Sequence, residues 1–234
     1  MRHPAVLAVC MLCALGVFGC GGGSSSTGTE GATPAAYAGS YVGSYTDSNG
    51  QNGDMAVTVG SSGAITGIAI DTSKVGSQTV AGLVLSSGAA TLTISNGSDT
   101  GTMTLSEPGQ LTGKFADSQG DTLTFTLTAL SSGGVYSGGF AGTFTNSKGQ
   151  GGTLDLIVSS NGTATAIITI AGSGSPTVIT GTVYSNGTGT FTAANGGATY
   201  TGTFALVGNT LDGTLTGDGV TIDFTLAKTS GLAA

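Results

Sequence analysis

Two stretches of the chain decide its fold, because one repeats the other. Residues 37–63 read YAGSYVGSYTDSNGQNGDMAVTVGSSG, and residues 136–162 read YSGGFAGTFTNSKGQGGTLDLIVSSNG, and the two align without a gap. The same spacing continues to the end of the chain, where TLTFTL at 122–127 matches TIDFTL at 221–226. A repeat of about a hundred residues is long enough to form a domain of its own. The sequence therefore predicts two domains of one fold.

The repeats divide the chain into five predicted segments. These are a signal peptide at 1–19, a lipidated cysteine and Gly/Ser-rich tether at 20–36, β repeat 1 at 37–130, a linker at 131–135 and β repeat 2 at 136–230. The linker reads SSGGV, a composition that is typical of a flexible connection.

Within each repeat, apolar residues alternate with Thr and Ser and then meet a turn signal such as Asn-Gly or Ser-Gly. This period of two is typical of β-strands with one buried face. Eight strands are predicted in the first repeat, near 38–46, 53–60, 63–71, 78–86, 89–96, 99–106, 109–116 and 120–129. Such short connections join antiparallel neighbours, so we expect an up-and-down meander.

The alternation also predicts which side chains face the core. One face of the first repeat collects Tyr37, Tyr41, Tyr45, Met55, Val57, Val59, Val80, Val84, Leu92, Ile94, Met103, Leu105, Leu111, Phe115, Leu123, Phe125 and Leu127, while the other carries mainly Thr, Ser and Ala and is expected in water. An open sheet of eight strands has two edges that invite aggregation, and closure removes both. The fold class is therefore all-β, with two tandem antiparallel eight-stranded up-and-down barrels; the alternative is two β-sandwiches.

Composition excludes several classes of function. The net charge is -7 and only five residues are Lys or Arg, whereas nucleic-acid binding needs clustered basic side chains. Arg2 and His3 are the only Arg and His, and both lie in the predicted signal peptide. A Ser or Thr nucleophile needs a positioned base, which the mature chain lacks in its usual form. The sequence therefore predicts a protein without enzymatic activity, catalytic residues, metal site or cofactor.

The N-terminus carries export signals. Residues 1–3 are a short basic start, and residues 5–18 form an apolar run too short to span a bilayer, which is typical of a signal peptide. The following VFGC at 17–20 resembles the lipobox of bacterial lipoproteins. That resemblance implies cleavage before Cys20, acylation of its sulfur, and sorting to the outer membrane or cell surface because Gly21 follows. An ordinary signal peptide with an incidental cysteine is the alternative.

The repeats loosely resemble calycin-type barrels, the lipocalin and avidin group. The resemblance lies in the opening G-x-Y-x-G-x-Y strand at 39–45 and in a later V-x-x-x-G step. It implies a barrel fold for both repeats, but the tryptophans that mark those families are absent, since the chain has no Trp. No ligand is therefore carried over.

Two features of the sequence are candidate sites. Asp47, Asn49, Gln51 and Asp54 place oxygen ligands at alternate positions, as calcium loops do, but the second copy has Lys148 there, so a hairpin turn is preferred. Aromatic stripes could line a cavity in each barrel, although a filled core is the preferred interpretation; they comprise Tyr37, Tyr41, Tyr45, Tyr136, Phe140 and Phe144.

The sequence leaves two functions open. The first is a membrane-anchored surface or periplasmic lipoprotein that acts by contact with a protein partner or as an envelope component. The second is a carrier of a small apolar ligand inside the barrels. The state of the interiors, filled or hollow, separates them.

Overall fold

The computed structural model describes residues 34–94, 97–106, 109–116, 118–130, 134–173, 175–194 and 197–230. The predicted signal peptide, Cys20 and most of the predicted tether lie outside the described residues. The described part begins with a short 3-10 turn, Pro34–Tyr37. No helix within these ranges is long and apolar enough to cross a bilayer.

Sixteen strands follow, eight in each repeat. The first repeat contains β1 (Gly39–Asp47), β2 (Asn52–Val59), β3 (Ala64–Asp71), β4 (Gly76–Val84), β5 (Ala89–Ile94), β6 (Gly97–Ser106), β7 (Gln110–Ala116) and β8 (Thr122–Ala129). The second contains β9 (Gly138–Asn146), β10 (Gly151–Val158), β11 (Thr163–Ile170), β12 (Thr177–Val183), β13 (Thr188–Ala193), β14 (Thr199–Val207), β15 (Thr210–Gly217) and β16 (Val220–Ser230).

Each repeat closes into its own antiparallel barrel. In barrel 1 the strands pair in sequence order, and β1 also pairs with β8, so that Tyr41 lies opposite both Val57 and Ala129. In barrel 2, β9 pairs with β10 and with β16 in the same way. The predicted fold class is confirmed, and the sandwich alternative is wrong because both sheets are closed.

Phenylalanine rings fill the barrel interiors by covering inward glycines. A methyl group added at Gly113 would overlap the ring of Phe125, and one added at Gly213 would overlap the ring of Phe224. Phe125 in turn stacks on Phe115, with 5.7 Å between ring centroids and an interplanar angle of 20°. Aromatic pairs at this separation stabilise a core beyond the area they bury. The missing Cβ atoms are thus replaced by rings rather than left as empty volume.

The outer faces of some strands are also buried, which corrects the expectation that the second face lies in water. These outward residues form a third apolar cluster that joins the barrels, comprising Val42, Ala56, Ile68, Ile70, Leu130, Ile157, Ile167 and Val178. Ile68 approaches barrel 2 so closely that a Cβ at Gly139 would lie 2.9 Å from its Cγ1 atom. The two barrels therefore share a packed interface that involves β1–β4 of barrel 1 and β9–β12 of barrel 2.

Candidate functional site

One end of barrel 1 holds a small cavity lined by polar side chains. We name it the barrel-1 mouth; it is lined by Tyr45, Asp47, Asn49, Gln51, Ala69, Gln78, Ile94, Asp99, Asp121, Thr122 and Leu123. Its volume is about 260 Å³. Cavities that hold drug-sized ligands start at about 300 Å³, so this one suits a smaller molecule.

The period of the strands explains why these side chains converge. Tyr45 follows Tyr41 and Gly43 on the inward face of β1, and Asp47 is the next inward position. Asp99 lies opposite the buried Leu92, which places it on the inward face of β6. Asp99 is not among the inward residues predicted from the sequence, although alternation along β6 carries it to the rim.

Asp71, the last residue of β3, is an acidic residue that the barrel buries almost completely, with 2% of its surface exposed. Its Oδ1 atom accepts hydrogen bonds from the Ser73 N–H at 2.8 Å, the Ser73 hydroxyl at 2.6 Å and the Lys74 N–H at 2.9 Å. Hydrogen bonds to an ionised carboxylate offset the cost of burying its charge. Asp71 therefore caps the β3–β4 turn and adds negative charge beneath the mouth.

The turn between β1 and β2 is held by Asp47. Its Oδ1 atom accepts the Asn49 N–H at 2.9 Å and the Gln51 N–H at 2.8 Å. In barrel 2, Asn146 makes the same two bonds, to Lys148 at 3.0 Å and Gln150 at 2.9 Å. An amide oxygen therefore replaces a carboxylate at this turn, as expected for an Asx-turn. This supports the hairpin interpretation over a calcium loop.

Tyr45 is a buried aromatic residue with acidic side chains near its hydroxyl. It is only 8% exposed, yet it lines the barrel-1 mouth. Burial raises the pKa of the Tyr45 hydroxyl well above its usual range, and the negative charges of Asp71, Asp47 and Asp54 raise it further. The hydroxyl therefore stays protonated at any physiological pH and can both donate and accept a hydrogen bond.

The second repeat shows what this end of a barrel looks like without the polar groups. Tyr45 and Phe144 occupy the same position, since each lies opposite a glycine of the next strand. By the same register, Asp71 corresponds to Ile170 and Asp99 to Tyr200.

The sequence alignment adds a further pair at this end, in which Asp121 corresponds to Val220. Ile170, Tyr200 and Val220 all pack against the core of barrel 2. The polar end is thus a property of barrel 1 and not of the fold.

A larger groove, about 630 Å³, lies on the outer face of barrel 2 across β9 and β14–β16. Its two carboxylates already accept hydrogen bonds from neighbouring threonines: Thr214 donates to Asp223 at 2.9 Å and Thr225 to Asp212 at 2.7 Å. We rank this groove below the barrel-1 mouth because it lies on the outside of the sheet, where its surface is open to water.

The six aromatic residues named from the sequence lie in three settings. Tyr41, Phe140 and Phe144 are buried in the two cores, and the Tyr41 hydroxyl donates to the Tyr37 carbonyl at 2.9 Å. Tyr37 and Tyr136 lie at the other end of their respective barrels. There the Tyr136 hydroxyl donates a hydrogen bond to the Phe204 carbonyl at 3.1 Å. Tyr45 alone among them lines the barrel-1 mouth.

The pattern that the two repeats share predicts the fold but not this site. The site is indicated by positions at which the repeats differ, such as Tyr45 against Phe144 and Asp121 against Val220. A polar residue at an inward position of one copy, where the other copy is apolar, indicates a role other than packing.

Comparisons with known proteins give distant structural likeness only. No family model matches the chain, and no curated protein matches it. Among solved structures, the chain is similar to isotype 1 Transferrin binding protein B from serogroup B Neisseria meningitidis, with a TM-score of 0.32 and 12% identity over 76% of this chain and 52% of that one. The chain thus spans about half of the length of that protein.

Two further structures are similar at the same distance. Intact Ap-TbpB, with its N and C lobes, has a TM-score of 0.30 and 9% identity over 83% of this chain and 77% of that chain. A protein with unknown function from the DUF3598 family of Nostoc punctiforme has a TM-score of 0.28 and 8% identity over 83% of this chain and 97% of that chain. Scores this low do not carry an inference about function.

Proposed function

We propose that this protein is a non-enzymatic binding lipoprotein of the bacterial cell envelope. Cys20 carries the lipid anchor, residues 20–36 tether the folded part, and the barrel-1 mouth binds the ligand or partner. Barrel 2 supports barrel 1 through the shared apolar interface. The outer membrane or cell surface is the proposed location, as the lipobox resemblance and Gly21 imply.

The observation that carries this proposal is the difference between the repeats. Both barrels have eight strands in the same order, and both cores are filled by apolar side chains. In barrel 1, Tyr45, Asp99 and Asp121 line a cavity at this end, whereas the corresponding Phe144, Tyr200 and Val220 pack in or against the core of barrel 2. A cavity lined by several converging polar groups at the end of an apolar core is typical of a binding site, so their presence in one repeat favours a binding role.

The chemistry of the mouth favours binding over catalysis. Tyr45 remains protonated because burial and three nearby carboxylates raise its pKa, so it is not a base at neutral pH. The described part of the chain has no His, Arg or Cys in its sequence. A hydroxyl, carboxylates and amides can recognise a ligand, but they lack the paired nucleophile and base of acyl-transfer sites.

Filled interiors favour this function over an apolar-ligand carrier. Phe125 lies over Gly113 and Phe224 lies over Gly213, which occupies the volume that inward glycines would otherwise leave. An apolar ligand in either barrel would have to displace these rings, at the cost of the core contacts they make.

Native mass spectrometry of the full chain, extracted from membranes in mild detergent, tests the binding function. We expect a reproducible adduct on the wild-type chain that is lost in the Tyr45→Phe, Asp121→Val double variant. Those two residues are the ones that barrel 2 carries at the same positions, so folding should be retained. An adduct that persists in the double variant, or a chain without any adduct under all extraction conditions, would contradict the proposal.

A further inference from the structure

The chemistry of the barrel-1 mouth narrows the class of ligand that it can take. Its polar lining consists of acceptor-rich groups: the carboxylates of Asp47, Asp99 and Asp121, and the amides of Asn49, Gln51 and Gln78. None of the residues that line the cavity is Lys or Arg. Asp71 adds another carboxylate close to Tyr45. A low-dielectric cavity edged by charges of one sign concentrates the opposite sign.

Tyr45 is an independent observation that points to a ligand. More than nine-tenths of this side chain is buried, and it lines the cavity. Among the described residues, no hydrogen bond to its hydroxyl is found, whereas the Tyr41 and Tyr136 hydroxyls each donate to a backbone carbonyl. The Tyr45 hydroxyl lies at the cavity, where a bound group can supply the hydrogen-bond partner that the described protein atoms do not.

The arrangement of the carboxylates favours an organic cation over a metal ion. Within the described residues, no group of three or more acidic, His or Cys side chains is close enough to hold a metal. The negative charges are instead spread around a rim that also offers amide oxygens. An ammonium or guanidinium group has several N–H donors that such a rim can share.

We propose that the barrel-1 mouth binds an alkyl ammonium or guanidinium group, which the rim carboxylates pair with and the Tyr45 hydroxyl contacts. The inference rests on the proposed binding function and names its ligand chemistry. The group belongs either to a small free amine or to a Lys or Arg side chain of a protein partner. At about 260 Å³, the cavity admits one such chain.

Isothermal titration of the full chain in mild detergent tests this inference with three probes. Cadaverine represents a free amine, the capped tripeptide Gly-Lys-Gly represents a protein side chain, and calcium ion represents a metal. We expect saturable binding of cadaverine, the tripeptide or both, weakened by added salt because the charges are screened. Tighter binding of the tripeptide assigns the group to a protein, and tighter binding of cadaverine assigns it to a free amine.

Variants locate the binding. Asp121→Val should weaken the affinity about tenfold, and Tyr45→Phe, which removes only the hydroxyl, about fivefold. Asp218→Asn is the matched control, because it removes one exposed carboxylate from a turn of barrel 2 and should leave the affinity unchanged.

Several outcomes would overturn the cation inference: binding of calcium alone, no binding of either amine, or an equal loss in the Asp218→Asn control. The native mass spectrum separates this failure from failure of the proposed function. A neutral or anionic adduct that disappears in the Tyr45→Phe, Asp121→Val variant would refute the cation and leave the binding function standing.

Discussion

Gly113 shows how a single residue decides the interior of a barrel. It lies on the inward face of β7, opposite both Met103 and Phe125, and a methyl group there would overlap the Phe125 ring. Barrel 2 repeats the arrangement with Gly213 and Phe224. The glycine thus does more than permit the sheet to coil, because its absent side chain is the space in which the neighbouring ring packs.

A Gly113→Ala substitution should therefore destabilise the protein. Overpacking a filled core costs about 1–3 kcal/mol, since the ring must leave its preferred rotamer or the strands must separate. The free energy of unfolding in urea measures this cost. Gly76→Ala is the matched control, because a Cβ at that strand glycine would meet nothing within 4 Å. Equal stability of the two variants would show that the ring does not depend on the space at Gly113.

The sequence predicts only part of the environment of Tyr45. Alternation correctly predicts that Tyr45 faces inward, together with Tyr41. It does not predict that the Tyr45 hydroxyl reaches a polar rim, because that depends on Asp99 and Asp121, which are distant in sequence. These residues come together only when β6 and β8 are paired in the closed barrel.

At the scale of elements, β3 and β11 depart from the simple pattern. Both carry buried residues on both faces: Ala69 faces the core, while Ile68 and Ile70 face the other barrel. The sequence does hold the signal, since runs such as Ile68-Ala69-Ile70 are continuously apolar, as in strands covered on both sides. Which surface covers them could not be predicted, because the packing partner comes from another repeat.

The interface between β4 and β10 also contains a titrating group. The Ser77 hydroxyl donates a hydrogen bond to Asp155 Oδ2. Burial raises the pKa of Asp155, and the bond from Ser77 only partly opposes that effect. A raised pKa means that the folded protein favours the protonated form. Protonated Asp155 therefore contributes to stability below the ordinary aspartate pKa of about 3.9. This contribution is lost as the pH rises through the pKa that Asp155 has in the folded protein.

An Asp155→Asn substitution should remove this dependence. Because the amide resembles the protonated acid and can still accept from Ser77, we expect a melting temperature a few degrees higher at neutral pH and little changed in acid. Melting curves from about pH 4 upward measure it. Asp218→Asn, in an exposed turn, serves as the control. A variant whose melting temperature falls at neutral pH would show that the carboxylate stabilises the interface instead.

At the scale of the whole molecule, the proposed arrangement is an anchored pair of barrels. The tether of about sixteen residues gives a mean reach of roughly 20 Å if it behaves as a Gly/Ser coil. Several acyl chains on one cysteine would hold it firmly, whereas a single chain binds only marginally. The folded part would then stand away from the membrane by up to about that reach.

Replacing Cys20 tests the anchor. In a Cys20→Ser variant we expect the protein to leave the membrane fraction and to lose the mass of the acyl chains, with the thermal melt of the barrels unchanged. Cell fractionation and intact mass measure both. Cys13→Ser, within the predicted signal peptide, is the control and should remain lipidated. A Cys20→Ser protein that still sediments with membranes would contradict the lipid anchor.

Closure of each barrel onto its own last strand has a consequence for folding during synthesis. Tyr41 cannot pair with Ala129, nor Ala141 with Ala227, until the whole repeat has been synthesised. During that interval an unfinished sheet exposes hydrogen-bonding edges to other nascent chains. Because the strands of the first barrel pair only with one another, its sheet can close before the second repeat is made. Unpaired edges are therefore exposed in two short periods rather than in one long one.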